Sequence, residues 1–121
     1  MQRTFLKSKI HRATLTETVL TYEGSITIDP VLLEAADIDL YEKVQVLNLN
    51  TGARFETYVL PGKKGSGQLC LNGPAARLGE VGDTILVVSY MQVDDKEKGR
   101  LAPVVVHVDQ DNKITRTEKL T

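Results

Sequence analysis

A mostly-β barrel with one or two short helices is the fold class this sequence predicts. Stretches of alternating apolar and β-branched residues recur along the chain, turn signals separate them every few residues, and only one segment carries clear helix signals. Taken in order, His11 to Thr21 is rich in Thr, Leu and Val and reads as strand. Ser25-Ile26-Thr27-Ile28 alternates polar and apolar, the period of a half-buried strand. Asp29-Pro30 then opens a helix running to about Asp37, because Asp suits the cap and Pro the first helical position. Val44 to Leu49 is a strand, Asn50-Thr51-Gly52 a turn, and Arg54 to Leu60 the hairpin partner. Pro61 to Gly67 is a Gly- and Lys-rich loop, and Gln68 to Leu71 is a short buried strand. Asn72-Gly73 is a turn, and Pro74 to Leu78 forms one helical turn. Thr84 to Val93 is the strongest strand, Asp94 to Arg100 a charged loop, and Val104 to Val108 a further strand. The polar tail from Lys113 to Thr121 is expected to fray. Many short strands with so little helix close most naturally into a barrel.

At 121 residues the chain is expected to be a single domain, 1–121, with no linker, repeat or low-complexity segment. Its formal net charge of −1 favours neither nucleic acid nor an anionic membrane as a partner. No apolar run approaches the roughly 18 residues that span a bilayer. The N-terminal Met1 to Lys7 lacks the apolar stretch of a signal peptide. The lone Cys70 has no intrachain disulfide partner, which makes a reducing cytoplasm the expected compartment.

The chemistry-bearing residues are few. His11, His107 and Cys70 show no ligand-like spacing, so no metal site is expected. There is no P-loop and no GxGxxG. A Ser-His-Asp triad has no fixed order in sequence, but no nucleophile-elbow motif marks one here. Two Phe, four Tyr and no Trp leave little for stacking on single-stranded nucleic acid. What remains is Tyr22-Glu23-Gly24-Ser25. A Gly-Ser pair is ordinarily just a turn. This one falls between two strand-like runs, where the Ser25 hydroxyl can reach back to the Gly24 carbonyl. Glycine tolerates an unusual φ and leaves that carbonyl uncrowded, so a strained turn would open it to attack.

Several short motifs then arrive in order at compatible spacings. They are Lys9-Ile10-His11, Tyr22-Glu23-Gly24-Ser25, Arg54-Phe55-Glu56-Thr57-Tyr58, Asn72-Gly73-Pro74-Ala75-Ala76 and Val81-Gly82-Asp83. Each alone is weak, but as an ordered set they closely resemble the pyruvoyl-dependent aspartate 1-decarboxylases. The likeness runs from Arg3 to about Tyr90 and continues more loosely over Val104 to Thr121.

That resemblance implies a double-psi β-barrel assembled as a homotetramer with active sites between neighbouring subunits. Gly79 to Asp83 matches the Gly-Asp turn common in such barrels. It implies self-cleavage between Gly24 and Ser25 into chains 1–24 and 25–121, with Ser25 converted into a pyruvoyl cofactor. The activity implied is decarboxylation of L-aspartate to β-alanine and CO2, supplying β-alanine for pantothenate and coenzyme A biosynthesis. A ketone can condense with the substrate amine and take up the electrons left when the carboxylate departs, the role PLP plays elsewhere. By the same resemblance Tyr58 returns a proton to the substrate carbon, a task that suits a phenol because phenols keep their proton at neutral pH. Arg54 offers a planar fork to a substrate carboxylate. Lys9 adds positive charge, Thr57 orients the cleavage-site carbonyl and contacts substrate, and Gly73, Pro74 and Ala75 contact substrate through their backbone. Position 74 is commonly alanine in the family. Proline has no N–H, so Gly73 or Ala75 must supply any backbone donor there.

Ordinary readings stand beside these. Arg54 and Tyr58 also fit a solvated strand face. Simple alternation puts those two on one side and Thr57 on the other, so all three serve one site only if the strand twists, bulges or ends there. His11 is read as a hydrogen-bonding residue near the cleavage loop with no catalytic role, and His107 and Cys70 as structural. Two alternative functions remain open at this level. One is a non-enzymatic double-psi barrel that binds a ligand or DNA; the other is a self-cleaving decarboxylase of glutamate or another amino acid.

Overall fold

A computed structural model describes residues 1–121. Nine strands, one α-helix and two 3₁₀ helices follow one another along the chain. The strands are β1 (Gln2–Thr14), β2 (Glu17–Val19), β3 (Ser25–Ile28), β4 (Lys43–Asn48), β5 (Arg54–Pro61), β6 (Leu69–Asn72), β7 (Thr84–Asp94), β8 (Val104–Val108) and β9 (Ile114–Lys119). Helix α1 spans Pro30–Ala36, and the 3₁₀ helices span Gly73–Leu78 and Lys98–Arg100.

Closure of the barrel depends on the N-terminal strand. β1 lies antiparallel to β7, but near its end the chain kinks at Arg12, whose φ is +61°. Leu15 then donates its N–H to Asp83 and Thr16 donates to Leu69, each within 2.9 Å, which moves the chain from β7 across to β6. β2 continues parallel to β6. The ring β1/β2–β6–β3–β5–β4–β7 is therefore closed, with parallel β2–β6 and β3–β5 pairs among antiparallel neighbours. This is the six-stranded double-psi arrangement. β8 and β9 extend the sheet outside the ring, β8 parallel to β1. No helix is long and apolar enough to cross a membrane.

Two boundaries differ from the sequence reading. The expected strand His11 to Thr21 is instead the end of a long strand that begins at Gln2, plus the separate β2. The tail does not fray: Ile114–Lys119 pairs with β8, and Ile114 packs against the core. Lys98–Arg100, expected as part of a charged loop, forms a short 3₁₀ turn, and the remaining strands and helices lie within a residue or two of their expected places.

The core fills the barrel with Ile10, Ile26, Ile28, Val46, Leu69, Leu71, Ile85 and Val87, all fully buried, and Leu32 of α1 seals one side. The Asp29 carboxylate, only 1% exposed, begins that helix. It accepts from Val31 N–H at 2.9 Å and also from Gly65 and Gly67 N–H at 2.9 and 2.8 Å, tying the Lys-rich loop to the helix start. Burial alone would raise this carboxyl, but the three N–H donors and nearby Lys113 hold it below its ordinary value. The depressed value means that its stabilisation is complete above the ordinary carboxyl value of 3.8 and is lost as pH falls through the lower folded value. Asp29→Ala removes the cap and strands buried donors, so a loss of about 2–4 kcal/mol is expected from denaturant melts at pH 7. The gap between wild type and variant should narrow below pH 3.8; a gap unchanged at low pH would refute the carboxylate as its source.

Candidate active site

Two strands flank β6 at Asn72: Val19 of β2 lies across from it on one side and Ser25 of β3 on the other. The chain between them, Leu20 to Gly24, must therefore arch over the end of β6. The arch begins with a turn in which Tyr22 N–H donates to the Val19 carbonyl at 3.4 Å. It lands with Gly24 at φ +97° and Ser25 at φ +141°. A positive φ of this kind costs a residue bearing a Cβ about 1–3 kcal/mol. The Gly24–Ser25 peptide thus lies between a residue in a glycine-only conformation and one in a strained conformation.

Gly73 makes the arch possible. Its φ is +64°, and a Cβ there would lie 2.5 Å from the Gly24 nitrogen and 2.6 Å from the Tyr22 carbonyl oxygen. Any side chain at 73 would push the arch off β6. Ser25 itself is fully buried. Asn72 Nδ2 donates to Ser25 Oγ at 2.8 Å and to Thr27 Oγ1 at 2.8 Å.

Beside this peptide is a cleft of about 260 Å³. Gly24, Ser25, Thr57, Tyr58, Pro74 and Ala75 line it, with Phe55 and Leu78 as apolar wall and Glu23 and Glu56 as its acidic members. β5 does alternate as expected: Val59 is buried and Tyr58 is 38% exposed. Both faces nevertheless reach one cleft, because β3 begins only at Ser25 and its pairing with β5 starts at Val59. Residues 54–58 pair with β4 alone, so on the other side β5 is an open edge. The site therefore uses a place where pairing ends rather than a twist or bulge.

Not every expected residue is there. Arg54 is exposed at the start of β5, across from Leu47, and does not line the cleft. Lys9 sits in mid-β1 between Val88 and Val105, also outside it. Gly73 is buried behind the cleft, and Pro74 presents its ring to it, with Cδ 3.6 Å from where a Gly24 Cβ would lie. His11 makes no hydrogen bond to the Leu20–Gly24 arch. Its Nδ1 is buried without a partner and its ring packs edge-on against His107, centroids 5.4 Å apart. Burial first, then the charge of Lys9, lowers the His11 pKa. Asn72 was given no role by sequence reasoning. Its contact with Ser25 exists only through the β3–β6 register, and its place in the Asn72-Gly73-Pro74-Ala75-Ala76 motif was the only signal.

A larger hollow of about 390 Å³ lies on the outside of the barrel among Lys43, Gln45, Glu56 and Tyr90. Four of its polar groups pair with one another, Lys43 with Glu56 at 2.6 Å and Tyr90 with Gln45 at 2.7 Å. The smaller cleft is the one that the Gly24-Ser25 pair borders.

Comparison with known proteins gives a consistent picture. The family model described as aspartate decarboxylase matches residues 1–115. An aspartate 1-decarboxylase of Thermoanaerobacter pseudethanolicus is 57% identical over 113 residues, covering 93% of this chain and 97% of the relative. One from Pelotomaculum thermopropionicum is 58% identical, covering 96% and 88%, and one from Salinibacter ruber 50% identical, covering 99% and 82%. Among solved structures, the computationally designed msDPBB_sym2 protein matches 75% of this chain and 100% of its own with a TM-score of 0.46 and 15% identity. A single family model spanning nearly the whole sequence, together with relatives sharing half or more of their residues over almost all of it, establishes that the chain belongs to the aspartate decarboxylase family.

Proposed function

We infer that this chain is the precursor of a pyruvoyl-dependent aspartate 1-decarboxylase that cuts itself between Gly24 and Ser25. The observation that carries this reading is the buried Ser25, at φ +141°, with its Oγ held by Asn72 at the edge of the cleft. Attack of Oγ on the Gly24 carbonyl carbon closes a five-membered ring through Cβ, Cα and N. As the Oγ–C bond forms and the C–N bond breaks, the hydroxyl proton passes to the Ser25 nitrogen and the amide becomes an ester. Ester formation releases the strain stored at Ser25, which favours the forward direction. Loss of the Ser25 α-proton with cleavage of Cβ–Oγ then frees chain 1–24 with a carboxylate end. Water replaces the nitrogen left on residue 25, which departs as ammonia.

The residues around the product fit a pyruvoyl group. Residue 25 borders a cleft whose walls are Thr57, Tyr58, Pro74 and Ala75, with Glu23 and Glu56 also on its lining, and Ser25 Oγ is held by the neutral Asn72 amide. The group supplies an electron sink for the pair released when the carboxylate leaves. Tyr58 is positioned to hold the proton that returns to the substrate carbon. Thr57 offers a hydroxyl on the opposite wall, and backbone donation near position 74 falls to Gly73 or Ala75, since Pro74 has none. Arg54 provides the fork for the second carboxylate of aspartate, and Lys9 adds positive charge.

Arg54 and Lys9 lie outside the cleft of their own chain, which supports a homotetramer whose sites form between subunits. Exposed Tyr22 and Tyr41, 53% and 72% accessible, supply apolar surface for such contacts. A cytoplasmic setting agrees with the single unpaired Cys70. Intact mass spectrometry after warming should resolve chains 1–24 and 25–121, the latter beginning with pyruvoyl, and the processed protein should release β-alanine from L-aspartate. A chain that stays whole and releases no β-alanine would end this reading.

A further inference from the structure

We propose that Cys70 is a positioning residue for self-cleavage, its thiol setting the orientation of the Asn72 amide and, through it, the Ser25 hydroxyl. The proposal rests on the self-cleavage reading above. It starts from register. Ser25 lies opposite Asn72 and Thr27 opposite Cys70 in the antiparallel β3–β6 pair. The four side chains therefore share one face, while Ile26, Ile28, Leu69 and Leu71 point into the core. Cys70, at 3% exposure, and Asn72, at 4%, are closed off from water with Ser25.

Within this patch the Asn72 amide uses both of its N–H donors, one on Ser25 Oγ and one on Thr27 Oγ1. Its Oδ1 faces Cys70 Sγ at 3.2 Å. The other acceptor near the thiol, the Leu71 carbonyl, is farther at 3.8 Å. The two ends of an amide are nearly equal in shape, so packing alone does not choose between them. Turned by half a rotation, Oδ1 would accept from the two hydroxyls and Nδ2 would face sulfur, a weak acceptor. The S–H donor decides between the two states. Burial, and next the charge of Glu17 across from it on β2, push the Cys70 pKa up and keep the thiol protonated as a donor.

The orientation bears on the nucleophile. With an N–H directed at it, Oγ is favoured in its deprotonated form as it attacks, and its own proton is left free to leave. In the turned state that proton would be bonded to an amide oxygen, which is no base, and Oγ would lose its donor.

The test compares first-order cleavage rates of freshly made wild type, Cys70→Ser and Cys70→Ala by intact mass, with thermal melts to show that each is folded. Cys70→Ala should cleave roughly tenfold more slowly, about 1.4 kcal/mol of barrier. Cys70→Ser keeps a donor and should stay within about threefold of wild type, on the scale of one retained hydrogen bond. Because Cys70 acts only through Asn72, adding Cys70→Ala to Asn72→Ala should slow cleavage no further. Wild-type speed in Cys70→Ala, equal slowing in the Ser and Ala variants, or additive slowing on Asn72→Ala would each overturn the proposal. A wild type that never cleaves removes the self-cleavage reading and this proposal with it; a wild type that cleaves as fast as Cys70→Ala removes this proposal alone.

Discussion

Ser25→Ala should remain a single chain of 121 residues under conditions that convert the wild type completely, and it should form no β-alanine. The substitution removes one atom, Oγ, and keeps the Cβ, so the arch from Leu20 to Gly24 and the pairing of β3 with β6 and β5 have no steric reason to change. It does leave one Asn72 N–H without an acceptor, a cost of about 1–3 kcal/mol that a melt would register. Without Oγ no ester forms, and without the ester there is no leaving group on Cβ. Both maturation and turnover are therefore lost together. Intact mass and an assay for β-alanine read the two losses separately. Cleavage of Ser25→Ala at the same bond would mean that another nucleophile opens the Gly24 peptide.

Tyr58→Phe should separate what Ser25→Ala joins. The ring still lines the cleft, and neither Ser25 nor its Asn72 partner is touched, so the chain should still divide at Gly24. Only the hydroxyl proton is missing. The processed variant should turn over L-aspartate roughly 10²–10⁴-fold more slowly, the range typical of a lost proton donor, with the fall in kcat rather than KM. Single-turnover decarboxylation of the cleaved variant is the decisive measurement. Near-normal kcat there would remove Tyr58 from proton return, and failure to cleave would place its hydroxyl in maturation instead.

The two variants probe residues that differ in how they can be read from sequence. Gly24-Ser25 is legible because the requirement is local: a permissive glycine, a short hydroxyl side chain, and strand-like runs on both sides. The helix at Pro30 is legible for the same reason, since Asp29 and Pro30 act on their immediate neighbours. The barrel class follows from period-2 alternation, which tells an inward residue from an outward one within each strand. Strand limits are less legible. Gln2–Lys7 and Ile114–Lys119 are polar and mostly exposed, and only pairing with β7 and β8 makes them strands.

Alternation says which way a side chain points but never which strand lies across from it. That is decided by closure of the ring, when Leu15 and Thr16 carry the chain from β7 to β6 and set β2, β6 and β3 side by side. The square of Ser25, Asn72, Thr27 and Cys70 exists only in that register, its facing pairs 47 and 43 positions apart in the chain. The same closure starts β3 only at Ser25 and so leaves an open edge on β5, where Thr57 and Tyr58 meet one cleft from opposite faces. It also leaves Lys9 and Arg54 outside that cleft. The sequence by itself carried the family, and it singled out Gly24-Ser25 as the candidate pair. Tertiary structure alone decided which groups surround Ser25, because hydrogen-bond partners across a sheet are set by non-local register, and no local pattern carries that information.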